Sequence, residues 1–101
     1  MIADFVDAFN AKSLPRIRQL YPGITTQQVQ EWADLFLHAR NLNLQVSVSE
    51  VGRTGAARAQ AGVAGTLEYV DVNTGNADRR PIAWRAVLTE SPGGWRINSL
   101  Q

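Results

Sequence analysis

The sequence predicts an α+β domain in which three N-terminal helices pack on one face of a curved four-stranded antiparallel sheet. Three observations predict it. Apolar residues recur at helical spacing up to about residue 40, and from there they alternate with polar residues to the C-terminus. Turn residues divide that second half into four strands, and helices followed by strands imply one helical layer on one sheet.

A first helix runs from Ile2 to Lys12, because Ile2, Phe5, Val6 and Phe9 stand at i, i+3, i+4 and i+7 and form one apolar stripe. Ser13, Leu14 and Pro15 supply an N-cap and an early proline for a short second helix that carries Ile17, Leu20 and Tyr21. Pro22-Gly23 ends it. Thr25 and Gln28 have capping-box spacing, and Val29, Trp32, Ala33 and Phe36 carry a third helix to Arg40.

After Asn41 the period drops to two. Leu42, Leu44, Val46 and Val48 alternate with Asn43, Gln45, Ser47 and Ser49, and a turn is expected over Gly52 to Gly55. In the long second strand Ala59, Ala61, Val63, Leu67 and Tyr69 share a face with Gly65, an interior glycine of the kind that marks a bulge or bend. Asp71 to Asp78 reads as a polar hairpin loop. The third strand spans about Arg79 to Glu90, with Trp84, Ala86 and Leu88 on one face and Arg85, Val87 and Thr89 on the other. Ser91-Pro92-Gly93-Gly94 reverses the chain into a fourth strand at Trp95, Arg96 and Ile97. The selected faces predict one core of Phe5, Phe9, Trp32, Phe36, Leu44, Val46, Leu67, Trp84, Leu88, Trp95 and Ile97.

Composition bounds the function. A chain of 101 residues supports a single domain over 1–101, and 45% hydrophobic residues suffice for its core. The formal charge is +1 with both signs interspersed, which argues against a nucleic-acid partner. No cysteine is present, so disulfides, a thiolate nucleophile and a cysteine metal site are excluded. No apolar run approaches the roughly 20 residues of a membrane span, and no basic-then-apolar leader opens the chain. The expectation is a soluble domain without membrane contact, in a cytoplasmic or an extracytoplasmic setting.

The order and spacing of these elements resemble the nuclear transport factor 2-like superfamily, the cone-shaped, cystatin-like fold shared with ketosteroid isomerases, scytalone dehydratases and polyketide cyclases. The resemblance runs through F-V-D-A-F-N near the start, L-Y-P-G before the third helix, E-W-A-D-L-F within it, A-G-V-A-G-T-L-E-Y in the long strand and G-G-W-R-I at the end. Within that superfamily the set looks most like small domains appended to bacterial serine/threonine kinases. That likeness implies a bacterial accessory domain with a parent kinase or other domain as partner.

Enzymes of this fold need a proton acceptor inside the cone and a donor such as tyrosine. Asp4, Asp7, Glu31 and Asp34 fall off the apolar helical stripes, Asp71 and Asp78 sit in or beside a loop, and Glu50 and Glu90 lie at strand ends. Glu68 points to the opposite sheet face. No catalytic residue is therefore expected, and scattered carboxylates with one histidine suggest neither a metal nor a cofactor. His38 stands four residues after Asp34 on the outer side of the third helix, where the two form an exposed i, i+4 pair or, alternatively, a catalytic dyad.

Tyr21, Trp32, Phe36, Tyr69 and Trp84 are the candidate lining of a ligand cavity. Each phenol either donates into that cavity or finds a backbone partner at the edge of the core. Gln45, Arg58, Thr66, Glu68, Arg85, Val87, Arg96 and Asn98, together with Ala64, Val70, Ala83 and Leu100, are expected on the outer sheet face. Their mixed polarity suits a homodimer interface, with a hydrated surface or an anion site as competing readings. Two functions follow. One is a noncatalytic accessory module for self-association or domain association that holds a small apolar ligand in the cone. The other is a small isomerase, dehydratase or polyketide cyclase-type enzyme.

Overall fold

The computed structural model describes residues 2–101. Helices α1 (Ile2–Asn10), α2 (Leu14–Leu20) and α3 (Thr26–His38) precede strands β1 (Ala39–Gly55), β2 (Arg58–Asp71), β3 (Ala77–Ser91) and β4 (Gly94–Leu100). The strands form one antiparallel sheet in the order β1-β2-β3-β4, so each connection is a hairpin. The predicted α+β architecture is present.

Local chemistry sets the helix boundaries. Ser13 accepts a hydrogen bond from the Arg16 N–H and caps α2, which has its proline in the first turn. Thr25 and Gln28 form the reciprocal capping box of α3. α1 stops at Asn10 rather than Lys12, whose backbone turns left-handed with φ 56°. α3 stops at His38 rather than Arg40, because Ala39 is already extended and opens β1 without a loop. β1 runs through the expected turn to Gly55, with a register break between Ser49 and Gly52 where Glu50 is left-handed.

Aromatic rings dominate the core. Phe9 packs edge-on against Phe36 and Trp32, with ring centroids 5.0 and 5.5 Å apart, and Phe5 lies 5.8 Å from Trp32. Leu44, Leu67 and Ile97 close the sheet side of the same buried cluster, with Val46, Trp84 and Leu88 partly buried against it. Trp95 departs from the expected core. It is only half-buried and stands outside the cluster, because it sits at the β3–β4 hairpin end, where Arg53 lies 5.6 Å from its ring. Leu100, expected on the outer face, is buried on the helix side. The register break after Val87, which leaves Asn98 unpaired, adds a residue to β4 and turns both Ile97 and Leu100 inward.

Two hydrogen-bonded contacts join the helices to the sheet, and one close backbone approach lies within the sheet. The Asn10 carboxamide pairs with both backbone groups of Leu44, accepting from its N–H at 2.7 Å and donating to its carbonyl at 3.2 Å, and so fastens α1 to the β1 edge. Tyr21 Oη donates to Gln28 Oε1 at 2.7 Å and accepts from the Leu100 N–H at 3.1 Å, fastening the α2–α3 corner to β4. At Gly65 a Cβ would lie 1.8 Å from the Gln45 carbonyl oxygen, so this glycine permits the tight approach of β1 and β2.

An aromatic cleft at the cone mouth

Between α3 and the helix-covered sheet face lies an apolar cleft of about 200 Å³. α1 contributes Phe9 and α3 contributes Trp32 and Leu35, while Leu44, Leu67, Ile82 and Trp84 rise from the sheet. Two elementary periods produce this lining. Trp32 and Leu35 stand on one side of α3 at i and i+3, and Ile82 and Trp84 are alternate residues of β3. Glu31 and Arg80, both exposed, complete the wall at the rim.

A more polar hollow of about 320 Å³ adjoins the cleft and shares Glu31, Leu35 and Arg80 with it. Tyr69 reaches this hollow and donates its hydroxyl to Asp78 Oδ2 at 3.0 Å. Arg80 Nε donates to the same oxygen at 3.2 Å, the Arg79 N–H donates to Oδ1 at 2.9 Å, and the Arg80 guanidinium lies 5.7 Å from the Tyr69 ring centroid. Burial, and then the Asp78 contact, push the Tyr69 phenol above its ordinary range. The Tyr69 hydrogen bond, reinforced by Arg80 and the Arg79 N–H, holds the Asp78 carboxyl below the usual carboxylate range despite some desolvation. Both shifts run against proton transfer, since the acid becomes a weaker base and the phenol a weaker acid.

His38 and Asp34 form the exposed pair expected of them. The His38 Nδ1 lies 2.9 Å from the Asp34 backbone oxygen and 3.6 Å from its carboxylate, with side chains 47% and 76% exposed. Among the described residues no group of three His, Cys, Asp or Glu side chains could hold a metal ion.

Of the candidate ligand residues, Trp32 and Trp84 line the cleft, with ring centroids 6.3 Å apart. Phe36 is buried against Phe9, Tyr69 faces the adjoining hollow, and Tyr21 is 1% exposed with its hydroxyl in the β4 clamp. Sequence reasoning missed Leu35, Ile82, Glu31, Arg80 and Asp78. The expectation of acids kept away from the cone needs correction at two of these. Asp78 belongs to β3 instead of the loop, in register with Tyr69, and Glu31 reaches the cleft rim beside Trp32. The signal was available in β3, where the alternation of Trp84 and Ile82 continues through Arg80 to Asp78.

The opposite sheet face collects most of the residues expected there. Gln45 pairs with Thr66, Arg58 with Thr89, Glu68 with Arg79, and Thr89 with Arg96 across the ladders, while Arg85 and Val87 alternate with the inward Ala86. Asn98 sits in the β4 bulge instead. Arg79 lies 3.3 Å from Glu68, and Arg85 lies 3.6 Å from Glu50. These contacts are exposed and contribute little to stability.

No family model matches the chain, and no match is found among curated proteins. Solved structures do match. A ketosteroid isomerase-like protein from Erwinia carotovora atroseptica aligns with a TM-score of 0.76 and 17% identity over 96% of this chain and 85% of that one. A candidate dehydratase of the nuclear transport factor 2-like family from Streptomyces avermitilis gives 0.70 and 12%, over 98% and 87% of the two chains. The intermembrane space region of the chloroplast protein ARC6 gives 0.61 and 18%, over 99% and 88%. These likenesses show the fold, which is the nuclear transport factor 2-like cone.

Proposed function

We propose that the domain is a noncatalytic module that holds a small apolar molecule in the cleft between α3 and the sheet. The observation that carries this reading is the wall formed by Phe9, Trp32, Leu35, Ile82 and Trp84, apolar side chains that face a space of about 200 Å³. An apolar cavity of about 150 Å³ holds benzene, so one or two fused rings suit the space better than a sterol. The titratable groups support the noncatalytic part of this reading. Asp78 is held ionised by Tyr69 and Arg80, and no charged side chain among the described residues is buried enough to become a potent base.

The test is a titration of tryptophan emission with one- and two-ring compounds, in the parent protein and in Ile82→Trp, which fills the cleft. The parent should respond and Ile82→Trp should not. An equal response in both removes the ligand from the cleft. A second reading, proton transfer as in an isomerase or dehydratase, is supported by Glu31 at the cleft rim and by the isomerase-like and dehydratase neighbours. Recovery of a chemically altered ligand, abolished by Glu31→Gln, would establish that reading in place of the first.

We also propose self-association through the outer sheet face. Arg58 and Glu68 lie at opposite ends of β2 with Ala64 between them, and Ala83 stands across from Ala64 on β3. A two-fold axis across the strands would set Arg58 of one copy over Glu68 of the other around these small side chains. Light scattering at high micromolar concentration should give a dimer mass, and Val87→Glu should give a monomer. A monomer mass for the parent protein sinks the proposal.

A further inference from the structure

The cleft is apolar inside and acidic at its mouth, and that combination selects a head group. Resting on the reading of the cleft as a ligand site, we infer that its ligand is an amphiphilic monocation, an ammonium carried on one or two apolar rings. The amine faces Glu31 while the rings lie against Trp32 and Trp84.

Arg80 is the basic side chain of the rim, and it is already engaged. Its Nε lies 3.2 Å from Asp78 Oδ2, and its guanidinium lies over the Tyr69 ring. An anionic ligand would have to draw it away from Asp78. Glu31 stands differently. Its carboxylate accepts from the Gln27 amide at 3.1 Å, a neutral donor, and it takes part in none of the ion pairs found among the described residues. The adjoining hollow adds Asp34, whose partner is His38, and Asp71, which accepts the Asn73 N–H at 2.8 Å. Three carboxylates (Glu31, Asp34 and Asp71) therefore line the cleft and hollow beside the His38 imidazole and one guanidinium, which already binds Asp78 at 3.2 Å. The sequence has one lysine, Lys12, and its ammonium is bound to the Ala39 carbonyl away from this mouth.

The walls favour the same ligand. Indole faces carry the negative side of the aromatic quadrupole and attract cations more strongly than other rings do. Trp32 and Trp84, inclined at 49° with centroids 6.3 Å apart, present two such rings beside Glu31. An ammonium placed there is drawn by the carboxylate and by the rings together, and its hydrocarbon part covers Leu35 and Ile82. A carboxylate head group in that position meets repulsion from Glu31 and from the ring faces.

Three compounds of nearly equal shape separate these outcomes: 1-naphthylmethylamine, 1-naphthylmethanol and 1-naphthoate at pH 7. The readout is the three indole N–H signals in a proton–nitrogen NMR titration, with Trp95 as reference because it lies under Arg53, apart from the cleft. The amine should shift the Trp32 and Trp84 signals with a Kd about fivefold or more below that of the alcohol, and the carboxylate should bind more weakly than either. Half-molar salt should narrow the gap. Glu31→Gln should bring the amine close to the alcohol and leave the Kd of the alcohol unchanged. If the alcohol or the carboxylate binds as tightly as the amine, the inference is overturned and the cleft remains a ligand site. If none of the three moves the Trp32 and Trp84 signals, the ligand site and the inference fall together.

Discussion

Replacing Tyr21 with Phe removes one oxygen and leaves the ring that packs 6.3 Å from Trp32. That oxygen donates to Gln28 Oε1 at 2.7 Å and accepts from the Leu100 N–H at 3.1 Å, within a site where Tyr21 is 1% and Leu100 3% exposed. Gln28 keeps its bonds to the Thr25 N–H and the Leu100 carbonyl in the variant, so the stranded group is the Leu100 N–H. A lost hydrogen bond of about 1 kcal/mol and a buried unpaired donor of about 1 to 3 kcal/mol predict a destabilisation of roughly 2 to 4 kcal/mol. For a domain of this size that lowers Tm by about 10 to 20 °C. Thermal and urea unfolding followed by circular dichroism would measure it. A double-mutant cycle with Gln28→Ala should show coupling of at least about 1 kcal/mol, since the two side chains share one network. The hydroxyl serves β4 rather than the cleft, so affinity for a cleft ligand should not change. A Tm within about 3 °C of the parent would show that water replaces the hydroxyl at little cost, and the clamp argument would then be wrong.

Gly65→Ala should cost about 3 kcal/mol or more, because the added Cβ would meet the Gln45 carbonyl at 1.8 Å and Val46 Cα at 2.7 Å, both backbone atoms. A neutral or stabilising effect in urea unfolding would show that β1 and β2 do not approach as described. Trp32→Ala should cost about 3 to 5 kcal/mol, and Trp95→Ala under about 2 kcal/mol, because only the first ring belongs to the buried cluster. Equal losses would return Trp95 to the core. Asp78 titrates below its unfolded value, so its contribution is fully present above about pH 4 and is lost as pH falls through the folded value. The Tyr69 phenol is raised, so its contribution holds below about pH 10 and is lost as pH rises through its folded value. Asp78→Asn should therefore flatten the fall in urea midpoint between about pH 5 and pH 2.5, and an unchanged acid limb would remove Asp78 from the account.

The helices and strands were legible because their signals are local. Phe5 and Phe9 form a stripe whatever lies opposite, and Thr25 with Gln28 makes a capping box from residues three apart. What such signals cannot carry is register. The break near Asn98 turns Leu100 inward although simple alternation from Ile97 points it outward, and the helix layer covers Ile97 without reaching Trp95. Gln28 reads as a cap residue, yet it also holds Tyr21 and the Leu100 carbonyl from 72 residues away in the chain.

By itself the sequence determined the α+β class, the order of three helices and four strands, most of the aromatic core and the exposed character of His38 and Asp34. Only the tertiary structure decided that Glu31 of α3 and Arg80 of β3 meet at one rim, that Asp78 answers Tyr69 across the ladder, and that Trp32 and Trp84 leave space between the layers. Periodicity states which side of an element avoids water. A site, however, depends on where two such sides come to rest against each other, and here the Asn10 carboxamide and the Tyr21 hydroxyl fasten the helices to the sheet while the missing Cβ of Gly65 lets β1 and β2 close up within it.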